Sequence, residues 1–67
     1  MAPVERMAMR VKEWRERRGL TQEQLATKAG LSRGFLARLE TARHDPKLST
    51  LEKIAKALKV DIAKLLK

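Results

Sequence analysis

TQEQLATKAGLSRGFLARLE, residues 21–40, spells two short helices joined by a tight turn. Thr21 caps the first helix through its hydroxyl, and Gln24 three residues later completes a capping box. Leu25, Ala26 and Ala29 recur at helical spacing and give one apolar stripe. Gly30 follows where a helix end needs a residue that tolerates positive φ. Ser32 is the next cap, and Leu36 and Leu39 form the buried face of a helix over about 32–41. Arg33, Gly34, Ala37 and Arg38 are left on the outside. A helix that presents arginines beside small residues can approach an anionic partner at close range. An ordinary helical hairpin with solvated arginines gives the same local pattern.

Outward from this stretch, Pro3 suits the first position of a helix, where its missing N–H costs nothing. Nothing breaks a helix from Val4 to Arg18. Met7, Val11, Trp14 and the stem of Arg18 share one face, with Trp14 expected as a core anchor. Gly19 ends this helix, and Leu20 turns back toward the core before Thr21. After the central pair comes TARHDPKL (41–48), a polar connection whose Pro46 a helix would not cross. Ser49-Thr50-Leu51-Glu52 reads as a second capping box, so a fourth helix is expected to start there. Leu51, Ile54, Ala55 and Leu58 make its buried stripe, while Glu52, Lys53, Lys56 and Lys59 face water. Asp61 is expected to cap a last short helix holding Ile62, Leu65 and Leu66. The reading is all-α: one compact five-helix domain over residues 1–67, with no strand signal and no repeat.

Composition narrows the chemistry. The 67 residues contain no cysteine and one histidine, so no disulfide, metal centre or cofactor is expected. His44 lies between Arg43 and Asp45 without a serine or threonine in a strained elbow, and the acids are scattered among basic residues. Gly19, Gly30 and Gly34 fit no phosphate-loop or dinucleotide spacing. No catalytic residue is nominated, and the chain reads as a non-enzyme. Sixteen Lys+Arg against eight Asp+Glu give a net charge of +8, a field that favours a polyanion partner or serves solubility alone. No apolar run approaches the ~20 residues of a membrane span, and MAPVERMAMR lacks a secretory core. A soluble cytoplasmic protein without a membrane or small-molecule partner is expected.

Taken in order, these residues resemble the helix-turn-helix of the phage repressor and Cro-like family of DNA-binding regulators, over roughly residues 7–66. Gln22 stands where that family places a phosphate-binding glutamine. Ala26 is the small residue at the helix crossing, Gly30 the turn glycine, and Leu36 the aliphatic residue that locks the two helices. Glu40, Arg43 and Pro46 match the family's acidic residue, basic residue and proline after the recognition helix, and STLEKIAKALKV resembles its fourth helix. The resemblance further implies that Arg15 pairs with Glu40 to orient the third helix, although Arg15 pointing at a phosphate is the alternative. Two positions depart from the pattern: Ala42 and Lys59 stand where the family usually has glycine. Either these residues bear a positive φ at a cost on the order of 1 kcal/mol, or the turns differ.

The resemblance implies a sequence-specific regulator of transcription, most often a repressor, that binds double-stranded DNA as a homodimer on a palindromic operator. The third helix would enter the major groove. Arg33 is the first candidate for a base, because its planar fork matches the O6 and N7 acceptors of guanine. Gly34 would let the backbone come close, and Arg38 can reach a base or a phosphate. Ser32 serves as cap, phosphate donor or both. Phe35 either covers a thymine methyl or packs against the second helix. Thr21 and Gln22, at the second helix's N-terminus, suit a phosphate, and so do Arg43, His44 and Lys47. Leu65 or Leu66 is the candidate dimer surface, or else closes the core. Rival classes are the antitoxin of a toxin–antitoxin pair and a nucleic-acid or membrane binder driven by charge alone.

Overall fold

Two side-chain caps fix where the central helices begin. In the computed structural model, which describes residues 2–67, Thr21 Oγ1 accepts from the Gln24 amide at 3.0 Å and Gln24 Oε1 accepts from the Thr21 amide at 2.8 Å. Ser32 Oγ likewise accepts from the Phe35 amide at 3.0 Å. Met1, the first residue of the expected domain, lies outside the described residues. The order is α1 (Pro3–Arg17), α2 (Gln22–Ala29), α3 (Arg33–Glu40), α4 (Leu48–Leu58) and α5 (Ala63–Leu66), with no strand among the described residues.

Gly30 ends α2 at φ +71°, and the Leu31 amide returns to the Ala26 carbonyl at 2.8 Å. After α3, the Arg43 amide bonds back to the Arg38 carbonyl at 2.9 Å, which requires Ala42 to take φ +60°. Lys59 does the same beyond α4, at φ +59°. Both positions where the family pattern has glycine thus keep the glycine conformation without glycine.

One expectation needs correction. The capping box at Ser49 does not form: α4 starts at Leu48, and Lys47 is its N-cap without a side-chain bond. The buried Pro46 leads straight into the helix, and the Thr50 and Leu51 amides already bond the Lys47 carbonyl at 3.0 and 3.1 Å. Ser49 therefore sits within the first turn, past the position from which a cap works. Trp14 packs against the core as expected, from its rim. It is half-buried at the edge of the core, with the Arg17 and Arg18 guanidinium carbons 4.9 and 5.2 Å from its ring centroid.

The core proper is aliphatic. Val11, Leu25, Leu36, Leu39, Ile54, Leu58 and Leu65 are its fully buried members, one or more from every helix, and each contributes roughly 1.5–3 kcal/mol by leaving water. Asp61 Oδ1 accepts from the Ala63 amide at 2.9 Å and so opens α5, which buries Leu65 and leaves Leu66 47% exposed. Arg18 adds a long-range cap: its Nε donates to the Leu58 carbonyl at 2.8 Å, satisfying the C-terminal end of α4.

One ion pair ties the helices that matter for α3. Arg15 Nε donates to Glu40 Oε2 at 2.7 Å and Arg15 Nη2 to Glu40 Oε1 at 3.1 Å, while Arg15 Nη1 donates to the Leu20 carbonyl at 2.8 Å. The side chains are 12% and 2% exposed. Replacing Arg15 by Met should cost roughly 3–5 kcal/mol, because it strands a buried carboxylate, and the Arg15→Met/Glu40→Met double variant should recover most of that loss in urea unfolding. An equal loss in both variants would show that the pair's charge is not the cause. Ala42→Gly and Lys59→Gly should each raise stability by roughly 0.5–1 kcal/mol by relieving the left-handed backbone, read by circular dichroism during unfolding.

Candidate nucleic-acid interface

The surface that α2 and α3 present follows from how tightly their backs are packed. Ala26 is buried where the two helices cross, and Leu36 and Leu39 lock α3 onto the core. This leaves Arg33, Gly34 and Arg38 exposed together on the outer face of α3, Arg38 lying about one turn beyond Gly34. A Cβ built at Gly34 would meet Arg38 Nη1 at 3.6 Å, an ordinary contact. Nothing inside the protein therefore demands glycine there, although a helix-interior glycine costs about 1 kcal/mol relative to alanine. Ser32 is exposed at the N-terminus of α3. Its oxygen is used by the Phe35 amide, and its O–H remains a donor.

Gln22 has a partner that residue spacing gave no sign of. Its Nε2 donates to Glu40 Oε1 at 3.2 Å, joining the carboxylate already held by Arg15. The side-chain amide carries a second N–H, so this bond does not exhaust it as a donor. Thr21 is exposed beside it, with its hydroxyl oxygen committed to the cap of α2.

Phe35 agrees with the packing alternative, because the core it lies against includes Leu25, Ala26 and Ala29 of α2. It is half-buried against the core and meets the His44 ring edge-on, with centroids 4.5 Å apart and planes inclined at 63°. That contact ties the loop after α3 to α3 itself. The Arg43 amide bond to the Arg38 carbonyl ties the same loop a second time. Arg43, His44 and Lys47 all remain exposed along the loop. The structure thus brings α3, the start of α2 and the loop 41–47 into one neighbourhood rich in cations and backbone donors.

Chemistry of other kinds finds little material. Among the described residues no group of three or more His, Cys, Asp and Glu side chains is placed to hold a metal, and no helix is long and apolar enough to cross a membrane. No buried side-chain nitrogen or oxygen among them lacks a hydrogen-bond partner. The site is an open, charged surface.

Comparison with known proteins places this chain in a family. The helix-turn-helix family model HTH_3 matches residues 11–65. The immunity repressor protein of Bacillus phage phi105 is 49% identical over 57 residues, 85% of this chain, and the chain spans only 40% of that repressor's length. Among solved structures, the restriction-modification controller protein C.AhdI from Aeromonas hydrophila superposes with a TM-score of 0.92 at 31% identity, covering 97% of this chain and 98% of that one. SinR, a master regulator for biofilm formation solved in complex with DNA, gives a TM-score of 0.87 at 31% identity over 91% of this chain and 98% of its own. With its caps, its turn glycine and the family match over residues 11–65, the chain belongs to the HTH_3 helix-turn-helix family of phage repressor and Cro-like regulators.

Proposed function

We propose that this chain is a sequence-specific, double-stranded DNA-binding regulator of transcription, of the repressor kind, which seats α3 in the major groove of a palindromic operator as a homodimer. The observation that carries this reading is the outer face of α3. Arg33, Gly34 and Arg38 stand exposed together on a helix whose angle is held by a buried ion pair. The glycine leaves room for close approach, and the major groove admits one α-helix. A structural neighbour of this chain, SinR, is solved in complex with DNA, which supports DNA as the partner.

Arg33 reads a guanine through two parallel hydrogen bonds, and Arg38 reaches the next base or the phosphate beside it. Gln22 spends one amide N–H on Glu40 and turns the other to a phosphate, next to the N-terminal amides of α2 that Thr21 positions. Ser32 donates its hydroxyl to the backbone. Phe35 holds the loop through His44, so that Arg43 and Lys47 reach phosphates further along the strand. The second protomer docks through the region of Leu66, the exposed apolar residue of α5.

Selection from a randomised duplex pool at about 150 mM salt should enrich one inverted repeat, with half-sites about one helical turn apart. Uniform binding of every duplex would defeat the reading. Arg33→Ala should cost about 1–3 kcal/mol on the selected site and relax preference at one base position. Gln22→Ala should weaken all duplexes alike. Lys47→Ala should also act on all sequences and lower the slope of log K against log salt by about one. Exchange of the Arg33 and Gln22 effects would overturn the assignment of roles.

A further inference from the structure

Lys59 occupies a backbone conformation that suits glycine, yet it is a lysine, and it lines two adjoining depressions. A strained residue that keeps its side chain points to a use for that side chain. The larger depression, about 390 Å³, lies in the seam between α2 and α4, with Lys28 on one wall, Lys53, Lys56 and Lys59 on the other, and Ala29 and Ala57 between. The smaller, about 150 Å³, shares Lys28, Ala57 and Lys59 and extends the trough to Arg18. No acidic residue lines either one. The ion pairs found among the described residues, Arg10–Glu13 and Arg15–Glu40, involve none of these cations.

Helix dipoles account for part of this charge. Lys28 and Lys56 stand in the last turns of α2 and α4, where a cation is favoured. Lys59, the C-cap of α4, shares that favoured end, whereas Lys53 lies further from it and is not explained in this way. Arg18 already satisfies the Leu58 carbonyl, which adds positive charge to the same end of the trough. Like charges this dense are stabilised by an anionic partner.

The shape selects among anions. A duplex carries its phosphates on a convex cylinder that cannot enter a cleft. A free phosphate or nucleotide in so open a depression would stay largely in water, whereas small-ligand sites bury most of their ligand. A slim chain fits better. Alanines floor the trough, so a helix can approach closely, and carboxylates one turn apart on that helix meet lysines on both walls. We infer that the α2–α4 trough is a docking site for an acidic, amphipathic helical segment of a partner protein. Its position also keeps it apart from α3. No residue of α3 or of the loop 41–47 lines either depression. The partner segment and DNA can be held together, although the docking site stands on its own geometry and charge whatever α3 binds.

The test titrates the ¹⁵N-labelled chain with a synthetic helical Glu/Ala peptide of about four turns, and in parallel with tripolyphosphate and with random-sequence duplex DNA. The peptide should shift the amides of Lys28, Lys53, Ala57 and Lys59 with saturation. The Lys53→Gln/Lys59→Gly variant, whose second change relieves backbone strain and favours the fold, should weaken the peptide about tenfold and leave duplex affinity unchanged. Absence of binding, peptide shifts centred on Arg33 and Arg43, indifference to the double variant, or tighter occupation of the trough by tripolyphosphate or duplex would each overturn the assignment. Duplex binding through α3 is read in the same samples, so its loss leaves the peptide result intact.

Discussion

The carboxylate of Glu40 gathers three helices at one point. It ends α3, accepts two bonds from Arg15 of α1, and takes a third from Gln22 at the start of α2. Arg15 spends its remaining nitrogen on the carbonyl of Leu20, in the link between α1 and α2. Such a pair earns little net stability against its own desolvation, but it is unforgiving of misplacement, because a slipped helix would leave a charge buried and alone. Aliphatic packing by Leu36 and Leu39 tolerates small rotations, whereas a bidentate guanidinium does not. The angle at which α3 leaves the body is therefore set by hydrogen-bond geometry more than by shape.

Around that point the chain closes its helix ends with whatever groups are near. Thr21, Ser32 and Asp61 cap locally, Gly30 and Ala42 fold the chain back over helix ends, and Arg18 reaches across from α1 to the end of α4. A core this small has little surplus to leave backbone groups unsatisfied. The arrangement of caps is thus as much a part of the fold as the seven fully buried aliphatic residues.

Legibility in the sequence divides along the same line. Thr21 with Gln24, Gly30 and Ser32 could be read because a cap is a local event between residues two to four apart, and the stripes of α2, α3 and α4 because burial repeats with the helix. The same local logic misled at Ser49, where the motif is present but Pro46 and Lys47 had already started the helix. Trp14 was legible as packing on the core but its depth was not, because a large ring on an apolar stripe can lie flat at the rim as easily as in the centre. The bonds of Gln22 to Glu40 and of Arg18 to Leu58 span 18 and 40 residues, and no spacing rule reaches that far. The exposed face of α3 was legible as the remainder left once the core positions were assigned. The lysine trough was not, since it exists only when two separate helices are laid side by side.

Trp14 has a consequence of its own. It is the single tryptophan of the chain, flanked by the guanidinium groups of Arg17 and Arg18, the second of which is fastened to the far end of α4. The molecule therefore carries a built-in fluorophore where α1 faces Lys64 and Lys67 of the C-terminal segment. Its emission reports the docking of the C-terminal segment onto α1, where Arg10 also reaches the Lys67 carbonyl. The face presented by α3 holds no fluorophore, so the two ends of the molecule can be watched independently by placing a second label there.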